Sequence, residues 1–345
     1  MGEFDLIQRF FSWPTPRAVL GVGDDCALLA PSAGMHMAIS TDTLISCRHF
    51  FPDVDPQALG HKALAVNLSD LAACGARPSA FVLALALPEV KNAWLEGFSK
   101  GLFELAQAHG CELVGGDTTR GPLTITITVF GEVPNTPTEA ASHGVSTGAL
   151  LRSGAQVGDD IYVSGSVGDA ALALRALQGK ITLPESVMAA ARARLEWPEP
   201  RVALGLALRG VATACADVSD GLRGDLGHIL ERSQVGAALH WDALVSLLVT
   251  RKNYPGAASA FDAVFGTDFA AQCVLGGGDD YELVFTAPES KRLAVIQAAE
   301  QSATPVTRIG KVVSAHGITL MDVNGKALPH LDAGEFASFD HFSPG

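Results

Sequence analysis

Apolar and polar positions follow two periods along the first half of the chain, and these periods predict alternating strands and helices. Strict alternation over 123–133 is typical of a strand with one buried face. A continuous apolar run at 80–87 predicts a fully buried strand. Asp55-Pro56 begins a predicted helix that ends near Gly75, and a second helix is predicted from 92 to 109. Short strands are predicted over 35–40, leading into Thr41, and just before Gly115.

The second half repeats the mixture, which predicts α/β or α+β domains. The pattern gives the following elements: strands over 161–164, 212–216 and 281–286, helices over 168–177, 184–195, 201–208 and 222–232, and an Asn324-Gly325 hairpin. Residues 134–148 are rich in Pro, Thr, Ser and Gly and lack apolar periodicity, as in a boundary loop. We therefore predict two domains, at 1–135 and 149–345.

Composition agrees with two folded domains and excludes several classes of partner. A length of 345 residues suits two domains, and 48% hydrophobic residues exclude general disorder. The net charge of −13 argues against nucleic acid or an anionic membrane as the main partner. The first residues are acidic and no apolar run is long, so we expect neither a secretory signal nor a membrane span. The six cysteines form no C-x-x-C pair, so we expect buried free thiols in a reducing cytoplasm.

Familiar nucleotide and hydrolase motifs are incomplete in this sequence. Cys26 stands where the third glycine of a dinucleotide fingerprint would follow Gly21 and Gly23. Gly179-Lys180 lacks the upstream glycine of a P-loop, and the G-x-S-x-G match at 144–148 lies in the boundary loop rather than after a strand. A nucleotide site in this protein must therefore use a different motif.

Aspartates recur in five short segments bordered by Gly, Ser or Thr. The segments are Asp24-Asp25, Ser40-Thr41-Asp42, Asn67-Leu68-Ser69-Asp70, Gly116-Asp117-Thr118-Thr119 and Asp217-Val218-Ser219-Asp220. We expect each aspartate to lie where the chain leaves a strand or along one helix. The i, i+3 spacing of Asn67 and Asp70 places both on one helix face. Each segment alone is also typical of a turn aspartate or a helix cap.

If these carboxylates converge, their charges require a partner. Two like charges about 4 Å apart repel by about 4 kcal/mol at an effective dielectric of 20. Hard oxygen ligands without His or Cys favour Mg²⁺, which keeps several waters and shares its other positions with phosphates. The neighbouring glycines let backbone N–H groups approach phosphate oxygens. The residues therefore indicate a site with several Mg²⁺ ions that handles a polyphosphate.

The ordered motifs resemble those of the thiamine-monophosphate kinase family. They are GVGDDCA (21–27), STDTL (40–44), KALAVNLSDLAACGA (62–76), GGDTTRG (115–121), DVSDGL (217–222) and GDDYEL (278–283). The resemblance extends over nearly the whole chain. It implies ATP-dependent phosphorylation of thiamine monophosphate to thiamine diphosphate, and a two-domain aminoimidazole ribonucleotide synthetase-like fold. The N-terminal domains would bind ATP and Mg²⁺ and pair into a barrel across a homodimer, and the C-terminal domain would complete the active site.

The resemblance also implies roles for individual residues. The Mg²⁺ ligands would be Asp25, Ser40, Thr41, Asp42, Asp70, Asp117, Asp217 and Asp220. The ATP contacts would be Gly116, Asp117, Arg152 and Ser219, and the substrate contacts His49, Asp279 and Phe339. The sequence departs from the family pattern in two ways. The family commonly has Glu or Asp where Asp279 stands, and the shorter side chain is expected to alter how the thiamine end is held. The boundary loop at 136–148 and the stretch at 333–338 are longer than usual.

A phosphate acceptor needs no general base, because its second pKa is near 6 and its oxygen is already largely deprotonated at pH 7. We therefore expect direct in-line transfer, with Mg²⁺ and Arg152 offsetting the repulsion between the two polyanions. Two alternatives remain. One is another enzyme of the superfamily, which uses ATP to activate an amide or acyl oxygen or selenide. The other is a non-catalytic scaffold that binds metal or nucleotide.

Overall fold

A computed structural model describes residues 2–135 and 148–328, and the chain divides into two compact units. The first comprises Met1–Leu71 and Ala76–Thr136, and the second Ala72–Gly75 and Pro137–Gly345. Residues 136–147 of the predicted boundary loop and Phe339 lie outside the described residues. Among the helices that are described, none has the length and apolar character needed to cross a bilayer.

The first 135 residues contain helices and strands in the predicted mixture. They are α1 (Glu3–Phe10), β1 (Met35–Ile45), α2 (Pro56–Ala73), β2 (Arg77–Leu87), α3 (Asn92–Ala108), β3 (Glu112–Arg120) and β4 (Thr124–Pro134). The predicted helices at 56–75 and 92–109 and the predicted strands at 80–87 and 123–133 are confirmed.

The strands of this unit form a mixed sheet in the order β1-β4-β2-β3. β4 is antiparallel to both β1 and β2, and β2 is parallel to β3. Ile125, Ile127 and Val129 of β4 are buried, which accounts for the alternation seen in the sequence. The other face of the sheet, opposite to these buried side chains of β4, is exposed along β1, where Ile39 has 62% and Ile45 42% of full exposure. The sheet thus buries one face and leaves the other open.

Two glycines permit α2 and α3 to cross at close range. A Cβ on Gly60 would lie 2.0 Å from the carbonyl oxygen of Phe98, and one on Gly101 would lie 1.9 Å from that of Gln57. Phe98 and Leu102 are fully buried beside this crossing. Any larger residue at either glycine would force the helices apart.

Two strands run further than the sequence pattern predicted. β1 was expected to end at Ser40, but it continues to Ile45, because it stays paired with β4 as far as Thr124. The hydroxyls of Thr41 and Thr43 also hydrogen-bond to Thr128 and Thr126 across this pairing, each at 2.8 Å. β3 likewise passes through Gly116 and Asp117 to Arg120. Asp42 and Asp117 therefore lie within strands, and the prediction that they follow strand ends is wrong.

The second unit is larger and contains more short elements. They are β5 (Asp160–Ser164), α4 (Asp169–Leu177), α5 (Glu185–Glu196), α6 (Val202–Ala207), β6 (Ala214–Val218), α7 (Leu222–Ser233), β7 (Gly236–His240), α8 (Trp241–Val245), α9 (Val249–Lys252), α10 (Ala257–Phe265), α11 (Thr267–Gly276), β8 (Glu282–Ala287), a 3₁₀ helix (Glu289–Lys291), α12 (Arg292–Gln301), β9 (Val306–Val313) and β10 (Gly317–Met321). The predicted elements up to 232 and the strand at 281–286 are confirmed.

The sheet of this unit has the strand order β10-β7-β9-β5-β8-β6. Neighbouring strands are antiparallel except β10 and β7. Both β5 and β6 are antiparallel to β8, so the end of β6 and the start of β8 lie at one edge. The strands β5, β6 and β8 are buried along their whole length. This edge carries the acidic turn at 217–220 and the glycine-rich loop at 276–280.

All six cysteines are free, but they are not all buried as predicted. Cys111, Cys215 and Cys273 are buried, Cys74 is partly exposed, and Cys26 and Cys47 are exposed. Burial raises the pKa of the Cys111 thiol to about 12, which makes it inert. Cys26 and Cys47 lie in turns with no apolar layer over them, and for these two the prediction of burial is wrong.

Candidate active site

In the first unit, one face of α2 meets the inward face of β1 through polar side chains. The backbone N–H of Asp42 donates to Asn67 Oδ1 at 3.0 Å, and Asn67 Nδ2 donates to the carbonyl of Ala63 at 3.0 Å. One helical turn further on, the Ser40 hydroxyl donates to the carboxylate of Asp70. The predicted shared face of Asn67 and Asp70 is confirmed, and these contacts bring Ser40, Asp42 and Asp70 together.

Thr41 and Asp117 are placed away from this group within one chain. The hydroxyl of Thr41 lies on the other face of β1, where it bonds to Thr128. Asp117 is on β3, and the strands β4 and β2 separate β3 from β1. Three strand spacings of roughly 4.8 Å put β3 about 14 Å from β1. A metal ion cannot bridge that distance.

Gly116 has a structural reason of its own to be glycine. Its φ is 151°, and a Cβ would lie 1.9 Å from the carbonyl oxygen of Leu83 on β2. The close approach of the two strands therefore requires glycine whether or not a nucleotide binds beside it.

Asp25 lies in a turn that the bridge between Leu20 and Leu28 closes. Its backbone N–H bonds to Asp24 Oδ1 at 2.9 Å, and both aspartates are exposed. The carboxylate of Asp24 therefore shapes the turn and presents Asp25 to solvent.

His49 lies in the tight loop that follows β1. Its imidazole Nδ1 accepts a hydrogen bond from the backbone N–H of Ile45 at 2.9 Å. The backbone N–H of His49 donates to the carbonyl of Ile45, also at 2.9 Å. Because Nδ1 is an acceptor here, a neutral imidazole carries its proton on Nε2. His49 is thus held as a hydrogen-bond donor through Nε2.

In the second unit, the glycine-rich loop packs on the turn after β6. The N–H of Asp279 donates to the carbonyl of Ser219 at 2.9 Å, and the N–H of Tyr281 donates to that of Val218 at 2.9 Å. Asp279 and Tyr281 have φ of 69° and 52°, and the Tyr281 hydroxyl donates to Asp279 Oδ1 at 3.1 Å. Non-glycine residues at positive φ mark a strained loop, which other contacts must hold. The loop places Asp279 beside Ser219.

A buried ion network holds the far side of this loop. Glu282 is fully buried and accepts two hydrogen bonds from Arg201, both at 2.7 Å, and one from Arg194 at 2.6 Å. The Ser164 hydroxyl bonds to the same carboxylate at 2.6 Å. Asp280 is almost fully buried and accepts the N–H of Gly168 at 2.9 Å, and burial raises its pKa well above the usual range.

Asp217 lies within β6, so the prediction that it follows a strand end is wrong for it as well. It is 4% exposed, and Asp220 in the turn that follows is partly exposed. A third acid, Asp225 on α7, was not found by sequence analysis. Its Oδ2 accepts the N–H groups of Ser219 at 3.0 Å and Asp220 at 3.2 Å. Burial and the charge of Asp220 raise the pKa of Asp225 to about 7, while the two hydrogen bonds and the charge of Arg152 act in the opposite direction.

These donor sets fit Mg²⁺ in chemistry. The groups at 40–70 and 217–225 offer carboxylate and hydroxyl oxygens, and a cation would offset the repulsion that disfavours charge on Asp225. Among residues 2–135 and 148–328, however, no group of three or more His, Cys, Asp or Glu side chains is positioned to hold a metal ion. Ligands from outside that set, such as phosphate oxygens and water, are needed to complete coordination.

The fold and these acidic turns define the class of protein. Residues 23–133 match the family model described as AIR synthase related protein, N-terminal domain, and residues 156–323 match the model for the C-terminal domain. The chain is a two-domain protein of this class.

Comparison with individual proteins assigns the chain to one family within this class. Thiamine-monophosphate kinase of Salmonella typhimurium is 44% identical over 315 residues, which are 90% of each chain. The crystal structure of thiamine-monophosphate kinase from Stenotrophomonas maltophilia K279a is 44% identical, has a TM-score of 0.76, and covers 91% of this chain and 93% of that one. A structure described as "AaThiL complexed with AMPPCP and TMP" is 26% identical, with a TM-score of 0.69 and coverage of 88% and 89%. The chain belongs to the thiamine-monophosphate kinase family.

Proposed function

We propose that this protein transfers the γ-phosphoryl group of ATP to thiamine monophosphate and so forms thiamine diphosphate. The observation that carries the proposal is 44% identity to a thiamine-monophosphate kinase over 90% of both chains. The structural neighbour bound to AMPPCP and TMP supports the substrate pair, because AMPPCP is an ATP analogue that cannot transfer its terminal phosphoryl group. The oxygen-rich turns of both units supply the chemistry that Mg²⁺ and phosphates require.

We assign Mg²⁺ to the carboxylates that the sequence predicted. In the first unit these are Asp25, Asp42, Asp70 and Asp117, with Ser40 and Thr41. In the second unit they are Asp217 and Asp220. When bound, Mg²⁺ neutralises phosphate charge and aligns the donor and acceptor oxygens. The contacts between Ser40 and Asp70 and between Asp42 and Asn67 hold the oxygens of one group in place before any ligand arrives.

The protein's own groups have four tasks in the transfer. Ser219 and Gly116 offer contacts to ATP, and Arg152 adds a positive charge near the acidic turn. His49 donates through Nε2 toward the substrate phosphate, and Asp279 holds the thiamine end. The acceptor oxygen is already deprotonated near pH 7, so no residue is needed as a base. The role of Phe339 stays a prediction.

We further propose that the first unit pairs with that of a second copy to form a barrel. The open face of the sheet, with Ile39 and Ile45 exposed, supports such pairing. The separation of Asp42 from Asp117 within one sheet supports it too, because a site that uses both needs one of them from the partner. The six free thiols support a reducing compartment, the cytoplasm.

An acceptor panel tests the proposed reaction against the alternatives. The purified protein is given ATP and Mg²⁺ with thiamine monophosphate, with thiamine, or with no acceptor, and ADP is measured. We expect ADP only with thiamine monophosphate. ADP with an amide substrate or selenide instead would identify another enzyme of the superfamily, and nucleotide binding without ADP would identify a scaffold.

The in-line course of the transfer has its own test. Thiamine diphosphate made from ATP with a chiral γ-phosphorus should show inverted configuration, because a single displacement inverts the centre. Retained configuration would require a phosphoenzyme and contradict direct transfer.

A further inference from the structure

The turn between β6 and α7 is held from inside by a side chain that reaches back to it. Asp225 lies in the first turn of α7, and its Oδ2 accepts the N–H groups of both Ser219 and Asp220, at 3.0 and 3.2 Å. Its side chain is buried, with 4% of the residue exposed. A single buried oxygen therefore fixes the backbone of two consecutive residues.

The two residues it fixes are the ones for which we proposed contacts with ATP and Mg²⁺. Gly221, with φ of 118°, directs the chain from this turn into the helix, so the turn has no regular secondary structure of its own to define it. Without an acceptor, the N–H groups of Ser219 and Asp220 would lose their orientation. Because its Oδ2 is occupied by these two N–H groups, Asp225 acts on the turn through the backbone.

The same turn supports the loop on which Asp279 lies. The carbonyl of Ser219 accepts the N–H of Asp279, and a Cβ on Gly278 would lie 2.4 Å from that carbonyl oxygen. A shift of Ser219 would therefore move Asp279 as well. Asp225 influences Asp279 only through this additional hydrogen bond. We therefore expect its loss to weaken the binding of thiamine monophosphate less than the binding of ATP.

We propose that Asp225 is a positioning residue for nucleotide binding, which holds Ser219 and Asp220 in the orientation that receives the phosphates of ATP. It acts through the backbone of these residues and touches neither substrate. This role rests on the proposed function, since it takes the turn at 217–220 as the nucleotide contact.

A matched control exists at the opposite edge of the same sheet. Asp159 is also 4% exposed, and its Oδ2 accepts the N–H of Gln156 at 3.0 Å and the hydroxyl of Thr213 at 2.7 Å. Asp159 directly precedes β5, and Thr213 directly precedes β6. Both strands run from there toward the acidic turn, so Asp159 lies at the end of the sheet that is remote from this turn. Its loss should reduce stability without changing the turn.

The test compares Asp225→Ala, Asp225→Asn and Asp159→Ala by Tm, by the KM values and kcat, and by the Kd of Mg·AMPPCP. For Asp225→Ala we expect the Kd and the KM for ATP to rise about tenfold, as for loss of a hydrogen bond worth about 1.4 kcal/mol. The KM for thiamine monophosphate should rise less, and kcat at saturating ATP should change least. Asp225→Asn keeps an oxygen at the same place, so its values should return to within about threefold of wild type. Asp159→Ala should lower Tm and leave both nucleotide constants unchanged.

Three results would overturn the proposal. One is an unchanged Kd and KM for ATP in Asp225→Ala when Tm falls, which would show a purely structural role. Another is a tenfold loss in Asp225→Asn as well, which would show that the charge acts and not the hydrogen bonds. The third is an equal loss of nucleotide affinity in Asp159→Ala.

A second variant covers the case in which Asp225→Ala does not fold. Asp225→Glu keeps the carboxylate but moves it by one methylene, so it should fold and still weaken Mg·AMPPCP binding, and unchanged binding would contradict the proposal. The measurement of Mg·AMPPCP binding also distinguishes a failure of the proposed function from a failure of the role proposed for Asp225. A wild-type protein that binds Mg·AMPPCP without phosphorylating thiamine monophosphate would refute the proposed function, while the comparison of variants would still decide the role of Asp225.

Discussion

Asn67 holds β1 at Asp42: its side-chain oxygen accepts the Asp42 N–H at 3.0 Å, and its amide donates to the carbonyl of Ala63 at 3.0 Å. A single amide thus ties a strand residue proposed to bind Mg²⁺ to the helix that carries Asp70. Since Asn67 is only 1% exposed, water cannot replace the bonds it makes.

Asn67→Ala should raise the Mg²⁺ concentration needed for half-maximal activity severalfold, because Asp42 loses its fixed position. It should also lower the free energy of unfolding by about 1–3 kcal/mol, since a buried N–H is left without an acceptor. Titration of activity with MgCl₂ and urea unfolding measure the two effects. Ser79→Ala is the control, because it removes a bond of similar kind, from Ser79 Oγ to the carbonyl of Phe130 at 2.8 Å. Equal Mg²⁺ dependence in Asn67→Ala and the wild type would contradict the positioning of Asp42.

The proposed dimeric site predicts complementation between two inactive variants. Asp42→Asn and Asp117→Asn should each abolish turnover and keep the wild-type Tm. If a site takes Asp42 from one copy and Asp117 from the other, a mixed dimer contains one intact site. Unfolding and refolding an equal mixture should then restore about a quarter of wild-type activity per subunit. The absence of any recovery, with mixed dimers demonstrated by mass spectrometry, would show that each site lies within one chain or that the copies do not pair.

The tautomer of His49 predicts different effects for two amide substitutions. His49→Asn keeps an acceptor for the Ile45 N–H but loses the donor at the position of Nε2, so the KM for thiamine monophosphate should rise about tenfold or more. His49→Gln keeps that donor and loses the acceptor, so it should raise this KM less and lower Tm more. The opposite order of KM values would exclude the Nε2 donor role.

The first sheet shows what the sequence pattern could predict and where it could not. β4 was predicted nearly to the residue because one of its faces is buried and the other is not. β1 was cut short because Thr41, Asp42 and Thr43 interrupt the apolar alternation, and only pairing with Thr126 and Thr128 reveals the strand. The i, i+3 spacing of Asn67 and Asp70 was enough to predict their shared face.

The second unit shows a different limit. The elements β7, β9 and β10 and the helices from α8 to α12 were not predicted, because they are short or lack a clear period. Several of them, including α8, α10 and α11, are stabilised by packing in the common core. Asp225 was missed because a lone aspartate in the first turns of a helix is ordinary. Its position six residues after Ser219, across a strand–turn–helix junction, is the signal that could have indicated it.

Acid stability should depend on Asp160, which is fully buried at the start of β5. Burial alone would raise its pKa, but two hydrogen bonds from Arg292, at 2.5 and 3.0 Å, and the charges of Arg308 and Lys311 lower the pKa below its usual value. A carboxyl group with a lowered pKa stabilises the fold above its unfolded pKa of about 3.9, and that stability is lost as the pH falls through the folded value.

Asp160→Asn should therefore lower Tm at pH 7, and the difference from the wild type should shrink as the pH falls below about 4. Thermal unfolding between pH 7 and pH 3 measures it. Asp268→Asn, an exposed aspartate at the start of α11, controls for the loss of one negative charge. A difference that stays constant over this range would show that Asp160 acts without its charge.

The most direct test of the proposed function is ³¹P NMR of the complete reaction with ATP, Mg²⁺ and thiamine monophosphate. We expect the γ-phosphorus signal of ATP and the monophosphate signal of the acceptor to disappear together, while the two signals of thiamine diphosphate and those of ADP appear in equal amounts. Omission of Mg²⁺ should stop all four changes. Persistence of the thiamine monophosphate signal, with ATP intact or converted to ADP and inorganic phosphate, would contradict the proposal.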